Sequence, residues 1–164
     1  PHIGHGRSAV VFDFLIRYLV YLDYEVNFVR NITDIEDKII ERAAEEGITT
    51  KELADRVTKE FQDAYKSLNC LPPDNEPKAT ETIDHIINFI EVLIENGYAY
   101  ATQSGVYFEV TKFKDYLKLS GRNKDEVISG TRVDLKSDKK NTEDFALWKI
   151  SKENEPSWLS LIHI

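Results

Sequence analysis

Apolar residues recur at helical spacing near the start of the chain, across residues 8–22. They form one stripe along a predicted helix: Val10, Val11, Phe14, Leu15, Tyr18, Leu19 and Leu22. Because Phe12, Ile16 and Val20 lie off that stripe, we expect neighbouring segments to cover the helix on more than one side. Polar and apolar residues then alternate from Glu25 to Arg30, which predicts a strand.

Two sequence patterns mark the starts of the next two helices. Thr33 with Glu36, and Thr49 with Glu52, have the spacing of a capping box, in which side chains satisfy free backbone N–H groups. Gly47 is expected to end the first of these helices. The predicted inward positions are Ile35, Ile39, Ile40 and Ala43 in the first helix, and Leu53, Val57, Phe61, Tyr65 and Leu68 in the second.

Prolines and glycines divide the rest of the chain. The stretch 71–77 predicts a rigid connector, because proline fixes φ and lacks an N–H donor. A third helix ends at Gly97, with inward positions at Ile83, Ile86, Ile87, Ile90 and Ile94. Residues 98–110 then alternate around Gln103-Ser104-Gly105, which predicts a β-hairpin. Residues 113–138 are polar with short helical patterns, and residues 144–150 are a candidate further strand.

Composition narrows the class of protein. With 164 residues, 41% apolar and 30% charged, the chain suits one folded α/β domain with a small insertion. The net charge of −8 argues against broad, non-specific binding of nucleic acid, although a local patch could still contact one. The single cysteine excludes an internal disulfide, and no apolar run is long enough to span a bilayer. We therefore expect a cytoplasmic or organelle-matrix protein, and the lack of any methionine predicts that the sequence is a fragment.

The stretch that bears candidate chemistry is Pro1-His2-Ile3-Gly4-His5, directly ahead of the first helix. A helix N-terminus offers free N–H groups and a positive dipole end, and two imidazoles add directional donors. Gly4 lacks a Cβ, so a ligand could approach the backbone closely. This combination suits the phosphates of ATP, on which charge builds as the phosphoanhydride bond breaks. Such a histidine pair is also common at plain surface positions, and the polar Asn31-Ile32-Thr33-Asp34 after the predicted strand favours the ligand site.

Two further segments identify a family. Residues 1–43 contain PHIGHGRSAVVFDFL and RNITDIEDKIIERA, and they resemble the nucleotide-binding half of cysteinyl-tRNA synthetases, which are class I aminoacyl-tRNA synthetases. The later DFALWK at 144–149 and Glu155-Pro156-Ser157-Trp158 agree with that family in order and spacing. The resemblance implies a partial Rossmann-like (HUP-type) nucleotide-binding domain over residues 1–97, with its first strand missing. It further implies a mixed α/β connective insertion at 98–158, and residues 159–164 depart from the family pattern as a non-native tail.

The resemblance also implies a two-step reaction. A cysteine carboxylate attacks the α-phosphate of ATP, which binds with Mg²⁺, and the terminal ribose hydroxyl of tRNA(Cys) then takes the cysteinyl group. Carried over by motif, His2 and His5 are the catalytic residues that contact the triphosphate, Gly4 lies beneath the adenosine, and Thr33 lies beside the amino acid. A purely structural role for Thr33, as the N-cap of the next helix, has equal weight. The expected partners are tRNA(Cys), L-cysteine and ATP, and we expect a monomer.

The family selects cysteine over serine with a Zn²⁺ ion, which its members hold with two Cys, one His and one Glu. By resemblance, those ligands lie outside this stretch, so no metal ligand is expected in it. Cys70 is interpreted as a packed structural thiol, and His85 and His163 have no partner at metal-ligand spacing. Asp34 and Asp37 could form a carboxylate pair, but an acidic helix face is the favoured interpretation. No KMSKS-like loop is present, so we expect this stretch alone to lack full aminoacylation activity.

Two alternatives stay open from the sequence. A paralogous ligase activates cysteine in the same way but couples it to an amino sugar in the synthesis of low-molecular-weight thiols. A non-catalytic module on the same fold would keep the core positions and lose the nucleotide residues, whereas this chain keeps His2, Gly4 and His5.

Overall fold

The computed structural model describes residues 1–121, 138–152 and 155–158, which form two compact units that meet in sequence after Thr82. The first unit contains helices α1 (Ile3–Tyr21), α2 (Asp37–Glu46) and α3 (Thr50–Ser67) and a 3₁₀ turn at Ala79–Glu81. The second contains helix α4 (Ile83–Glu95), strands β1 (Ala99–Ala101), β2 (Gly105–Phe108) and β3 (Phe145–Lys149), and a 3₁₀ turn at Val110–Lys112. The chain is therefore of mixed α/β class. The functional boundary after Gly97 stays a prediction, and the proposed tail at 159–164 and His163 lie outside the described residues.

Helix α3 begins as its capping pattern predicts. The Thr49 hydroxyl accepts the Glu52 N–H at 3.1 Å, and the Glu52 carboxylate accepts the Thr49 N–H at 2.9 Å. Leu53 and Tyr65 of the predicted stripe are buried, whereas Val57 is 46% exposed. Gly47 ends α2 in the left-handed conformation, as expected.

The predicted cap at Thr33 is wrong. Helix α2 begins only at Asp37, behind Glu36, and no side chain caps it. The preceding residues are held extended because the Ile32 N–H donates to Pro77 O at 2.8 Å and the Asp34 carboxylate accepts both the N–H and the hydroxyl of Thr80. These bonds keep the chain out of helical geometry until Glu36, so the Thr33 hydroxyl does not serve as a cap.

The predicted strand at residues 25–30 is present only as interrupted parallel pairing. Val29 pairs with Asn75 and Ile32 pairs with Lys78 as two isolated bridges. Between them the Arg30 N–H donates to Asn75 O at 3.1 Å, but the return bond would need an N–H at Pro77, which proline lacks. The stretch 71–77, which we expected to be only a connector, thus pairs with the predicted strand, and Pro77 interrupts the hydrogen bonds between them.

Helix α1 departs from its predicted covering. It contributes no fully buried residue, and the stripe residues Phe14 and Tyr18 are 71% and 51% exposed. The partly buried positions are Gly6, Ala9, Asp13, Ile16 and Leu19, and of these only Leu19 belongs to the predicted stripe. Small or polar residues occupy three of these five positions, so the most apolar stripe of the helix did not reveal which side packs within the unit.

The second unit confirms the predicted hairpin and the further strand. Strand β2 pairs antiparallel with β1 and with β3, in the order β1-β2-β3. Helix α4 lies against β1, and their core contains Ile90, Ala99 and Val106 with Leu147 and Trp148 from β3 packed beside it. Gly105 is required in β2, because a Cβ there would lie 2.1 Å from the carbonyl oxygen of Trp148.

Asp144 anchors the entry into β3. Its side chain is completely buried and accepts hydrogen bonds from the Tyr100 hydroxyl at 2.7 Å, from the Val110 N–H at 3.0 Å and from Asn141. Burial, together with the hydrogen bond and charge of Asp144, raises the pKa of Tyr100 to about 12. A buried carboxylate with this many donors fixes the start of the strand, which gives the DFALWK motif a structural role.

In the part of the chain that the structure describes, no helix combines the length and apolar character that crossing a bilayer requires.

Candidate nucleotide-binding site

The two histidines of the opening motif build the first turn of α1. His2 is the N-cap residue, with extended backbone angles, and its Nδ1 accepts the Gly4 N–H at 3.1 Å. His5 Nδ1 accepts the His2 N–H at 3.2 Å. The two rings lie side by side, with their centroids 3.9 Å apart and their planes tilted by 34°. His2 and His5 therefore lie together at the N-terminus of the helix, and their binding of a shared ligand stays a prediction.

This capping arrangement assigns the ring protons. A nitrogen that accepts an N–H bond carries no proton, so each neutral imidazole that caps through Nδ1 carries its proton on Nε2. Both histidines are exposed, and each Nε2–H is a donor that the fold does not use. Two outward N–H donors at the positive end of a helix dipole are suited to an oxyanion such as a phosphate.

Gly4 has a second role besides the close backbone approach expected for a ligand. A Cβ at Gly4 would lie 2.9 Å from Cε1 and 3.1 Å from Nδ1 of the His2 ring. A larger residue would therefore push the imidazole away from its cap. Gly4 makes room for the ring as well as for any ligand.

Thr33 lies in the same compact unit, on the extended segment ahead of α2. Its side chain is exposed, and its hydroxyl oxygen accepts a long hydrogen bond of 3.4 Å from the Asn31 amide. It borders a cavity of about 200 Å³ between α2 and α3, whose other lining residues are Lys38, Ile39, Arg42, Leu53, Ala54, Val57 and Thr58. No hydrogen bond joins Thr33 to either histidine, so their shared use of one ligand stays a prediction.

Asp34 is occupied by the fold. It is only 8% exposed, and its carboxylate holds Thr80 at the start of the 3₁₀ turn. That engagement removes Asp34 from any acid–base pair with Asp37. Asp34 is buried and precedes α2, so it does not belong to the acidic helix face that the sequence favoured, and its hydrogen bonds to Thr80 give it a structural role.

Arg30 and Tyr65 are residues that sequence reasoning did not assign to the site. The guanidinium of Arg30 forms two bonds to one Glu76 oxygen, at 2.8 and 2.5 Å, and its carbon lies 4.8 Å from the centre of the Tyr65 ring. The Tyr65 hydroxyl donates to the carbonyl oxygen of His5 at 3.3 Å. Tyr65 occupies an ordinary inward position of α3, so its pattern gave no sign of a contact 60 residues away.

Cys70 and His85 are the other residues of metal-ligand type that the sequence raised within the described residues. Cys70 is half-buried, and burial, together with the nearby charge of Asp13, raises the pKa of its thiol, as a packed neutral thiol requires. His85 is exposed on α4. Across residues 1–121, 138–152 and 155–158, no three His, Cys, Asp or Glu side chains converge in a way that could hold a metal ion. The residues described here therefore do not fit the family's zinc.

Comparison with known proteins places this geometry in a family. Residues 1–162 match the family model described as the tRNA synthetases class I (C) catalytic domain. The chain belongs to this family of class I aminoacyl-tRNA synthetase catalytic domains, whose fold is Rossmann-like.

Individual relatives are more specific. The chain is 52% identical over 97% of its length to a protein of Desulfotalea psychrophila, and 54% identical over 97% to one of Maridesulfovibrio salexigens. A protein of Methanococcus maripaludis strain C7 is 52% identical over 97% of the chain. All three carry the name cysteine–tRNA ligase. The chain spans about a third of the length of these relatives, 32% or 33% in each case.

Proposed function

We propose that this chain supplies the ATP-binding part of a cysteine–tRNA ligase, which activates L-cysteine with ATP and transfers it to tRNA(Cys). The observation that carries the proposal is the pair of Nε2–H donors that His2 and His5 present at the N-terminus of α1. Membership in the class I family and relatives named cysteine–tRNA ligase support the same activity.

The first step is attack of a cysteine carboxylate oxygen on the α-phosphorus of ATP. The new oxygen–phosphorus bond forms as the bond to the bridging oxygen breaks, and pyrophosphate leaves with the electron pair. Negative charge builds on the leaving phosphates, and the two Nε2–H donors of His2 and His5 stabilise that charge more strongly in the transition state than in the ground state. The ribose hydroxyl of tRNA then displaces AMP from cysteinyl-adenylate.

Thr33 is the residue proposed to contact the amino acid. Its hydroxyl has no capping duty, because α2 begins at Asp37. Mg²⁺ bound to ATP would neutralise part of the phosphate charge. The described residues contain no group that could hold zinc, so we do not propose that they select cysteine over serine through a zinc ion. We further propose that the protein acts as a monomer in the cytoplasm.

The test uses the whole polypeptide that the gene encodes. Cysteine-dependent exchange of pyrophosphate into ATP measures the first step, with serine in place of cysteine as the negative control. We expect exchange with cysteine, and a loss of roughly 10²–10³-fold in rate for His5→Ala, as for removal of one transition-state donor elsewhere. His85→Ala, an exposed histidine on α4, is the matched control and should retain full activity.

Two outcomes would contradict the proposal. If the wild-type polypeptide shows no exchange, and the His5→Ala variant binds ATP as tightly as the wild type does, the chain is a non-catalytic module. If exchange occurs but the cysteinyl group passes to an amino sugar and not to tRNA(Cys), the amino-sugar ligase is correct.

A further inference from the structure

Helix α1 is held within its unit by polar contacts at one short turn. The Asp13 carboxylate accepts the Leu71 N–H at 2.7 Å, and the Arg17 guanidinium donates to Asn69 O at 2.8 Å. Asp13 and Arg17 also bind each other at 2.7 Å. A further bond of 3.3 Å, from the Tyr65 hydroxyl, reaches the first turn of the helix, and because no side chain of α1 is fully buried, these polar bonds help to fix the helix within its unit.

The turn that receives these bonds is itself well anchored. It follows α3 directly, and Asn69 reverses the chain in the left-handed conformation, with φ of +58°. Tyr65, one turn earlier, is 8% exposed and lies against Arg30, which binds Glu76. Arg17 thus places a positive charge at the C-terminal end of α3, where the helix dipole favours it.

The Asp13 side chain stays ionised in the folded protein. Its side chain is 15% exposed, and burial acts to raise the pKa of the carboxyl, but the Leu71 N–H and Arg17 outweigh it, so the pKa lies below its usual value. The carboxylate is therefore charged at neutral pH, so it can accept the Leu71 N–H and pair with Arg17.

We propose that Asp13 and Arg17 are positioning residues for nucleotide binding, because they set where the N-terminus of α1, with His2 and His5, lies within the unit. This inference rests on the proposed function. Asp13 lies about two helical turns from His5, roughly 12 Å along a stiff helix, so a shift at the turn moves the imidazoles. A misplacement of about 1 Å in a reacting geometry can cost roughly 100-fold in rate.

The Thr33 region is held by a separate set of bonds, so disturbing α1 should change ATP binding without changing cysteine binding. Ile32 and Asp34 bind Pro77 and Thr80, and none of these bonds involves Asp13 or Arg17. Loosening α1 should therefore weaken the response to ATP and leave the response to cysteine unchanged. General destabilisation would affect both substrates alike.

The experiment uses the whole polypeptide and four variants. Arg17→Ala removes the contact to the turn, Arg17→Lys keeps a donor and a charge, and Asp13→Asn keeps an acceptor for Leu71 but loses the ion pair. Lys59→Ala is the matched control, since Lys59 and Asp63 form a similar i,i+4 pair at 2.9 Å on α3 that does not touch α1. The readouts are KM for ATP and for cysteine in pyrophosphate exchange, the Kd of a non-hydrolysable ATP analogue, and Tm.

For Arg17→Ala we expect KM for ATP and the analogue Kd to rise about tenfold or more, with KM for cysteine within twofold of wild type. Arg17→Lys should recover much of the loss, Asp13→Asn should be intermediate, and Lys59→Ala should match wild type. Equal changes in both KM values, or a fall in Tm with unchanged KM for ATP, would overturn the inference. If Arg17→Ala fails to fold, Arg17→Lys and Asp13→Asn give the same comparison against Lys59→Ala. A wild-type polypeptide without cysteine-dependent exchange would defeat the proposed function instead, and the analogue Kd would still test the positioning role.

Discussion

Each histidine of the opening motif uses one ring nitrogen for folding and leaves the other for a ligand. Nδ1 of His2 and of His5 caps the first turn of α1, and the two ring centroids lie 3.9 Å apart. Histidine is suited to this double duty, because its two nitrogens face different directions on one rigid ring. The motif is thus a helix cap whose free Nε2–H groups are the proposed phosphate contacts.

Because different nitrogens of His2 cap the helix and face the proposed ligand, a substitution should be able to remove one role and keep the other. In His2→Asn the side-chain oxygen can still accept the Gly4 N–H, and asparagine is among the best N-cap residues, but the outer donor is lost. We expect an unchanged Tm and a fall of roughly 10²–10³-fold in the rate of cysteine-dependent pyrophosphate exchange. His2→Ala should lose both functions, with a further cost of about 1 kcal/mol in stability. An active His2→Asn enzyme would show that the Nε2 donor is not used.

The site residues that could be found from the sequence are those whose contacts are local. His2, Gly4 and His5 could be found because their contacts are local, within four residues of one another. The contact of Tyr65 with His5 could not be found, because its partner lies 60 residues away and tyrosine at an inward helix position has no distinguishing pattern. Long-range polar contacts become visible only in the folded chain.

Among the elements, local signals were reliable where no other segment competed for the same backbone. The capping box at Thr49 predicts the start of α3 correctly, because residue 49 has no competing partner. The equivalent pattern at Thr33 failed, because Pro77 and Thr80 engage its neighbours Ile32 and Asp34. The hairpin and β3 were predictable from alternation and turn residues alone.

The bond between Tyr100 and Asp144 predicts a specific dependence on pH at the start of β3. The folded pKa of about 12 lies above the ordinary value of about 10, so the unfolded chain loses its proton first. Stability from this group is therefore complete below about pH 10 and is lost as pH rises toward 12, by at most roughly 2–3 kcal/mol.

The measurement is the free energy of unfolding between pH 8 and 12, followed with tyrosinate absorbance. In Tyr100→Phe that part of the slope should disappear, and stability at pH 8 should fall by about 1 kcal/mol because a buried acceptor loses its donor. A slope identical to that of wild type would show that Tyr100 is not responsible.

At the scale of the whole molecule, α1 carries a large exposed apolar surface. Phe14, Tyr18 and Tyr21 share one face of the helix and are 71%, 51% and 80% exposed. A contiguous apolar surface of this kind is unusual on a monomeric soluble domain.

We therefore expect residues 1–164, expressed alone, to enhance the fluorescence of the dye ANS several-fold and to self-associate in sedimentation experiments. The double variant Phe14→Ser, Tyr21→Ser should reduce both effects, and Lys59→Ala should leave both unchanged. A monomeric chain with no dye enhancement would contradict the exposure of this face.

The central claim for the molecule as a whole is that the Nε2–H groups of His2 and His5 face the phosphates of ATP. The most direct measurement is ¹⁵N NMR of the histidine rings in the full polypeptide, recorded with and without a non-hydrolysable ATP analogue. We predict that both rings are neutral Nε2–H tautomers before binding and that both Nε2–H signals shift when the analogue is added, with His85 unaffected. Nδ1–H tautomers, or signals that the analogue does not change, would contradict the account.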